Sequence, residues 1–228
     1  MTTTLTLTMV KNKLLPLKGK KKFVIVVDGE CESWYFQMLK RNKRALQIDL
    51  KPEIPQKKEL SAQYGRVLDL AKDYDKVIWI VDLDVVNNET RKAKTGKKTK
   101  MSTFRKYAES LKSNKRVEVI VNNPCLEFWF LLHFEETAKF FDDCRGATKA
   151  LKKHLPDYEK TQNYFTKEGN DIFKKLEPRL ETAIANAEKL GVFDIDKTQT
   201  GFSGMHAFFD LKELKITRNK KKSKPKPK

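Results

Sequence analysis

The chain has 228 residues, 39% of them hydrophobic and 10% aromatic, enough for one domain with a full core or at most two small ones. No apolar stretch approaches the length of a bilayer span, which excludes a transmembrane protein, and the formal net charge of +18 favours a polyanionic partner. Three widely spaced cysteines, Cys31, Cys125 and Cys144, with no C-x-x-C, point to a reducing cytoplasm, no disulfide and no zinc site.

The opening eight residues lack a basic region ahead of an apolar core and are expected not to act as a signal peptide. Residues 11–22 hold six lysines and no acid, so 1–21 reads as a flexible basic arm. Residues 23–27 (Phe-Val-Ile-Val-Val) are apolar at every position, the pattern of a strand buried on both faces. The run breaks at Asp28-Gly29. A helix follows, with Trp34, Tyr35, Met38 and Leu39 at helical spacing and basic residues at its end. Residues 46–54 alternate as a more exposed strand. Ser61 is placed to cap a helix through Tyr64, Val67, Leu68 and Ala71. Residues 77–81 (Val-Ile-Trp-Ile-Val) form a second buried strand, ending in Asp82-Leu83-Asp84.

Residues 91–100 carry six bases and no acid and read as a loop, with Ser102 capping the next helix to about residue 112. Residues 117–121 make a third core strand, ending in Asn122-Asn123-Pro124. Residues 126–134 are apolar nearly all round, so that helix is buried. Helices are expected at about 145–154 and 168–190, kinked at Pro178 and ended by Gly191, and a short one within 205–216. Residues 218–228 hold seven bases and no acid, a lysine-rich tail. The three basic runs contain 19 of the 48 Lys and Arg residues, which leaves 29 bases against 30 acids elsewhere. The charge therefore reads as basic appendages on a nearly neutral body.

Strands alternating with helices imply an α/β fold, a parallel sheet flanked by helices over 22–122, with a mainly helical part over 123–217 packed on it. Function in such sheets gathers beyond the carboxyl ends of the strands. Asp28 and Glu32 flank the turn after the first strand. Asp82 and Asp84, two apart as another strand ends, are expected to point the same way. Four carboxylates at one place repel unless cations neutralise them, and hard oxygen donors suit Mg²⁺ or Mn²⁺. Singly, each cluster also suits a helix cap or a solvated turn.

Glu127 is the lone charge in its apolar helix. It is either a metal ligand, or an acid beside the metal, or half of a structural salt bridge to Lys or Arg. His133, six positions on, reads as a packed core histidine, and Trp34 and Tyr35 as core. Arg91, Lys92, Lys94, Lys97, Lys98 and Lys100 follow Asp84 closely enough to gather nucleic-acid phosphates at the mouth of the site, or to form a solvated loop. No Walker motif occurs, and 201–204 is not a phosphate loop.

The acid-Gly-x-x-acid turn followed by Asp-x-Asp resembles the Toprim domain. The wording is closer to the RloB family. The matching pieces are Val27-Asp28-Gly29-Glu30-Cys31-Glu32-Ser33-Trp34-Tyr35-Phe36, Asp82-Leu83-Asp84, the run from Asn123-Pro124-Cys125-Leu126-Glu127 through Phe134, and Tyr158-Glu159-Lys160. They span roughly residues 22–165. The resemblance implies a Mg²⁺- or Mn²⁺-dependent nucleic-acid phosphodiesterase. Asp28 would take the catalytic acid position, Glu32 the second acid, Asp82 and Asp84 the metal pair, and Lys160 a charge-stabilising role. Asp28 departs from the usual Glu, one methylene longer, and Glu30 lies near enough to substitute. From the family's gene company the resemblance also implies anti-phage defence and an ATPase partner protein. Two alternatives stand beside it: a non-catalytic nucleic-acid-binding module with a vestigial site, and a primase-like phosphoryl-transfer enzyme.

Overall fold

A strand with apolar side chains at every position can bury them all only between two layers, because successive residues face opposite sides. The computed structural model, which describes residues 21–43, 48–55, 59–94, 96–212 and 214, resolves the pattern that way. Strands β1 (Lys21–Val26), β2 (Ile48–Glu53), β3 (Lys76–Asp82) and β4 (Val117–Asn123) are parallel, and β5 (Phe202–Ser203) pairs antiparallel with β4. The order across the sheet is β2-β1-β3-β4-β5. The chain is thus α/β, as expected. The two-residue β5 has no sequence signature and was not anticipated.

The helices are α1 (Glu30–Asn42), α2 (Leu60–Asp73), α3 (Leu83–Lys92), α4 (Lys100–Leu111), α5 (Leu126–Leu132), α6 (Cys144–Leu151), α7 (Gln162–Thr166), α8 (Ile172–Leu176), α9 (Leu180–Lys189) and α10 (His206–Phe209). On one sheet face Val24, Val26, Val77, Trp79 and Val81 pack under α2, α3 and α4. On the other, Phe23, Ile25, Val27, Ile78 and Ile80 meet α1 and the carboxyl-terminal helices. At about 25 cal/mol per Å², each side chain so buried contributes roughly 1.5–3 kcal/mol before entropy is charged against it. Asp171, fully buried, ties α8 back to α1 by accepting from Arg41 at 2.8 Å and Asn42 at 3.1 Å. Tyr35 is core, its hydroxyl accepting from Trp129 Nε1 at 3.1 Å. His133 is a packed core histidine, buried against Trp129 with Nδ1 3.0 Å from the Trp129 carbonyl.

Several expected boundaries move. Ser61 lies inside α2, whose cap position is Glu59. Thr99, not Ser102, caps α4, its hydroxyl accepting from the Ser102 N–H at 3.0 Å. The lysine segment 91–100 is not all loop: Arg91 and Lys92 complete the last turn of α3, where cations favour the helix dipole, and Lys100 opens α4. The single helix expected over 168–190 is divided. Asp171 caps α8, and Pro178, which has no N–H to donate, sits in a 3₁₀ turn (Glu177–Arg179) ahead of α9. Gly191 ends α9 with φ +72°. Within the helix expected over 205–216, His206–Phe209 is helical. Lys21, assigned to the basic arm, begins β1. The rest of that arm and the tail at 218–228 lie outside the described residues. Among the described residues no helix is long and apolar enough to cross a membrane.

Candidate functional site

β1 and β3 are neighbours in the sheet, so the acids at their carboxyl ends meet. Asp28 follows β1, and Glu32 is the third residue of α1. Gly29 takes the α1 cap position, and a Cβ there would meet Oε2 of Glu32, which folds back over the turn and would have to swing aside. Asp82 ends β3. One oxygen from each of Asp28, Glu32 and Asp82 can be chosen so that all lie within 4.8 Å of one another. The amino ends of α1 and α5 open at this point, and their dipoles favour negative charge here. The site therefore joins three of the four acids singled out from the sequence. Asp84 stands apart from this trio. It lies in the first turn of α3, not on a strand, so the two-residue alternation does not apply to it. Its Oδ1 accepts from the Val85 N–H at 2.6 Å, and it lines the same cleft.

Asp82 is held by a chain of hydrogen bonds that sequence reasoning missed. Asn122, its register partner on β4, donates to Oδ1 at 3.0 Å, and the Leu126 N–H donates to Oδ2 at 3.1 Å. Ser203 on β5 donates to Asn122 Oδ1 at 2.7 Å and so fixes the amide. Asn123 anchors the segment before β5 by donating to the carbonyls of Thr198 at 2.8 Å and Thr200 at 2.7 Å. Gly201 lets that segment pass close: a Cβ there would strike the Lys139 carbonyl and the Phe128 ring. Gly201→Ala is accordingly expected to cost roughly 1–3 kcal/mol by forced displacement. Chemical denaturation measures it, and a loss below about 0.5 kcal/mol would mean the segment shifts freely.

Crowding of buried acids governs the electrostatics. Burial, then the charges of Glu32 and Asp28, holds the Asp82 carboxyl well above its usual range, against the lowering effect of Asn122. Burial and the Asp28 charge push Glu32 up to about 8. Asp84 is raised by burial, its bond from Val85 and the Lys160 charge opposing. Burial and Glu32 push the Cys31 thiol up to about 12, so it is not a ready nucleophile.

Glu127, buried in the first turn of α5, has its own partners. Tyr158 donates to Oε1 at 2.7 Å, and Lys160 Nζ is 2.7 Å from the same oxygen. The salt-bridge alternative is thus the arrangement present. Burial pulls the Lys160 ammonium down, but Glu127 outweighs it and Lys160 stays above its usual value. The sulfurs of Cys125 and Cys144 are joined in a disulfide, which corrects the expectation of none. Packing of α5 on α6 sets this pairing, not sequence spacing. The same sulfurs stand 3.0 and 3.2 Å from Oε2 of Glu127.

The basic segment is only partly at the site. Lys100 lines the cleft and pairs with Glu89 at 3.3 Å. Lys98 lines an adjoining hollow with Lys100. Arg91 turns to Asp142 at 3.3 Å, and Lys92, Lys94 and Lys97 are exposed and line neither hollow.

The cleft has a volume of about 550 Å³ and is lined by the carboxylates together with Lys100 and Lys160. It is large enough for a sugar-phosphate unit rather than a lone ion. The trio offers only oxygen donors, two of them buried and held toward the protonated form by that burial and by the neighbouring acids. That donor set fits a hard divalent cation such as Mg²⁺ or Mn²⁺.

The chain matches the family described as RloB-like protein over residues 23–211. No curated protein and no solved structure matches it.

Proposed function

The chain belongs to the RloB-like family, and on that footing we propose that it is a metal-dependent nucleic-acid phosphodiesterase with a Toprim-type site. The observation that carries the reading is the convergence of Asp28, Glu32 and Asp82 at the carboxyl ends of two adjacent parallel strands and the start of α1. These three would hold Mg²⁺ or Mn²⁺, with Asp84 placed to join them across the cleft. Such an ion supplies an activated water and charge stabilisation for displacement at phosphorus. Lys160 is kept charged by Glu127 and lines the cleft, where an ammonium counters charge developing on the phosphate. Lys100, which also lines the cleft, gathers an incoming phosphate. In this reading the protein works in the cytoplasm, in anti-phage defence, beside an ATPase partner. The direct test incubates the protein with DNA and with RNA under Mg²⁺, Mn²⁺ or EDTA. Metal-dependent cleavage is the expected result. Nucleic-acid binding without cleavage, and without any response to metal, would favour the binding-module alternative instead.

A pH dependence follows. A cation must displace the protons that Glu32 and Asp82 retain, so apparent Mn²⁺ affinity rises with pH, through about 8 for the Glu32 proton. The metal-free protein moves the other way. The folded Glu32 value lies above the ordinary 4.5, so its proton-linked stability is full below that value and is lost as pH rises through about 8. Melting midpoints with Mn²⁺ and with EDTA should therefore diverge between about pH 6 and about pH 8.5. Curves that stay parallel would show that the acids do not exchange protons for metal.

A further inference from the structure

A second cleft, about 660 Å³, adjoins the carboxylate cleft and shares Cys144 and Lys160 with it. Its wall is one face of α6. Ala147 and Leu151 point into the core, while Arg145, Lys149 and Lys152 recur at i, i+4 and i+7 on the side that faces the cleft. Together with Lys160 they set four cations against one lining acid, Glu159. Arg145 is tied to Asp143, and Lys160 to Glu127. Among the described residues Lys149 and Lys152 have no acidic partner, and both are exposed. Thr148, which precedes Lys149, lines the same cleft, and its Oγ1 is buried without a hydrogen-bond partner.

We propose that this α6 cleft holds the sugar-phosphate backbone of a single nucleic-acid strand whose neighbouring phosphodiester lies over the carboxylates; the proposal rests on the nuclease reading for the second half of that statement. At 1.5 Å per residue the row from Arg145 to Lys152 extends about 10 Å, longer than one phosphate group. It therefore suits a strand rather than a free anion. Two unpaired ammonium groups match phosphate oxygens, and Lys160 hands the strand from one cleft to the other. The positive surface at the site thus runs along α6, a segment that the lysine-rich run at 91–100 overshadows in the sequence.

The test is binding of a fluorescein-labelled single-stranded oligodeoxynucleotide in EDTA, by anisotropy, across a salt series. The wild type is compared with Lys149→Ala/Lys152→Ala. A control, Lys112→Ala/Lys115→Ala, removes the same charge from the turn before β4, at the other end of the sheet. Each phosphate contact on a single strand contributes about 0.7 to the salt slope, so the α6 variant should lose about 1.4 and bind roughly tenfold more weakly at moderate salt. The control should lose far less. An α6 variant that binds like the wild type or like the control overturns the proposal, as does a wild type that does not bind. Because EDTA removes metal, the outcome is separate from the nuclease reading. That reading fails on its own if metal never produces cleavage while the α6 effect persists.

Discussion

Asp82→Asn should lower metal-dependent cleavage on the order of 10³-fold, roughly 4 kcal/mol of transition-state stabilisation, while the protein stays folded. The activity loss follows from the proposed role: an amide is a neutral and poorer ligand for a hard cation. The survival of the fold follows from the surroundings. Asp82 accepts one bond from Asn122 and one from the Leu126 N–H. An Asn keeps one acceptor for Leu126. Its NH₂ then faces Asn122, whose amide can flip to present oxygen, with the Ser203 hydroxyl turning from donor to acceptor. The substitution also removes a carboxyl crowded by Glu32 and Asp28. One strained hydrogen bond and one relieved repulsion offset each other, leaving a change within about 1–2 kcal/mol. Cleavage kinetics and denaturant titration on the same samples measure both. A variant that is folded and still fully active would remove Asp82 from the site.

Lys160→Met should have the second-largest effect, and it acts on two properties at once. Glu127 is buried, and Lys160 is its ionic partner at 2.7 Å. Breaking a fully buried pair typically costs about 3–5 kcal/mol, since the remaining charge is stranded. The Lys160 side chain is 44% exposed, and Tyr158 still donates to Glu127, so about 2 kcal/mol is expected here. Activity should fall roughly 10²- to 10³-fold for want of the ammonium at the cleft. The double variant Glu127→Gln/Lys160→Met separates the two. Gln accepts from Tyr158 without a charge, so stability should return to within about 1 kcal/mol of wild type while activity stays low. If the single variant loses stability but cleaves normally, Lys160 serves only to neutralise Glu127.

The parts of this site that were legible in the sequence are those set by single strands. β1 and β3 announce themselves because residues 23–27 and 77–81 are apolar throughout, and β4 because 117–121 is apolar but for Glu118; a parallel sheet then brings their ends together. That argument places Asp28, Glu32 and Asp82 at one point. It fails for Asp84 because the strand stops at Asp82 and the next residue is already helical. It also gives no warning of Ser203. A two-residue strand has no alternation to detect, yet it orients Asn122 and through it Asp82. The lone charge of Glu127 signals a buried pair without revealing the partner. Lys160 is distant in sequence and arrives only through the packing of the segments after α5. The disulfide is of the same kind, made by the approach of α5 and α6. Net charge misleads most. The dense run at 91–100 sends Lys100 to the carboxylate cleft and Lys98 only to the adjoining hollow, whereas the sparser bases of α6 form a row because helical spacing aligns them.

The most direct measurement is a calorimetric titration of Mn²⁺ into the wild type and into Asp82→Asn near neutral pH, repeated in two buffers of different ionisation enthalpy. The account predicts saturable binding to the wild type with an enthalpy that changes with buffer, since Glu32 and Asp82 give up protons to the metal. It predicts binding to the variant weakened tenfold or more. No binding to the wild type, or equal binding to both proteins, would contradict the claim that these carboxylates form a metal centre.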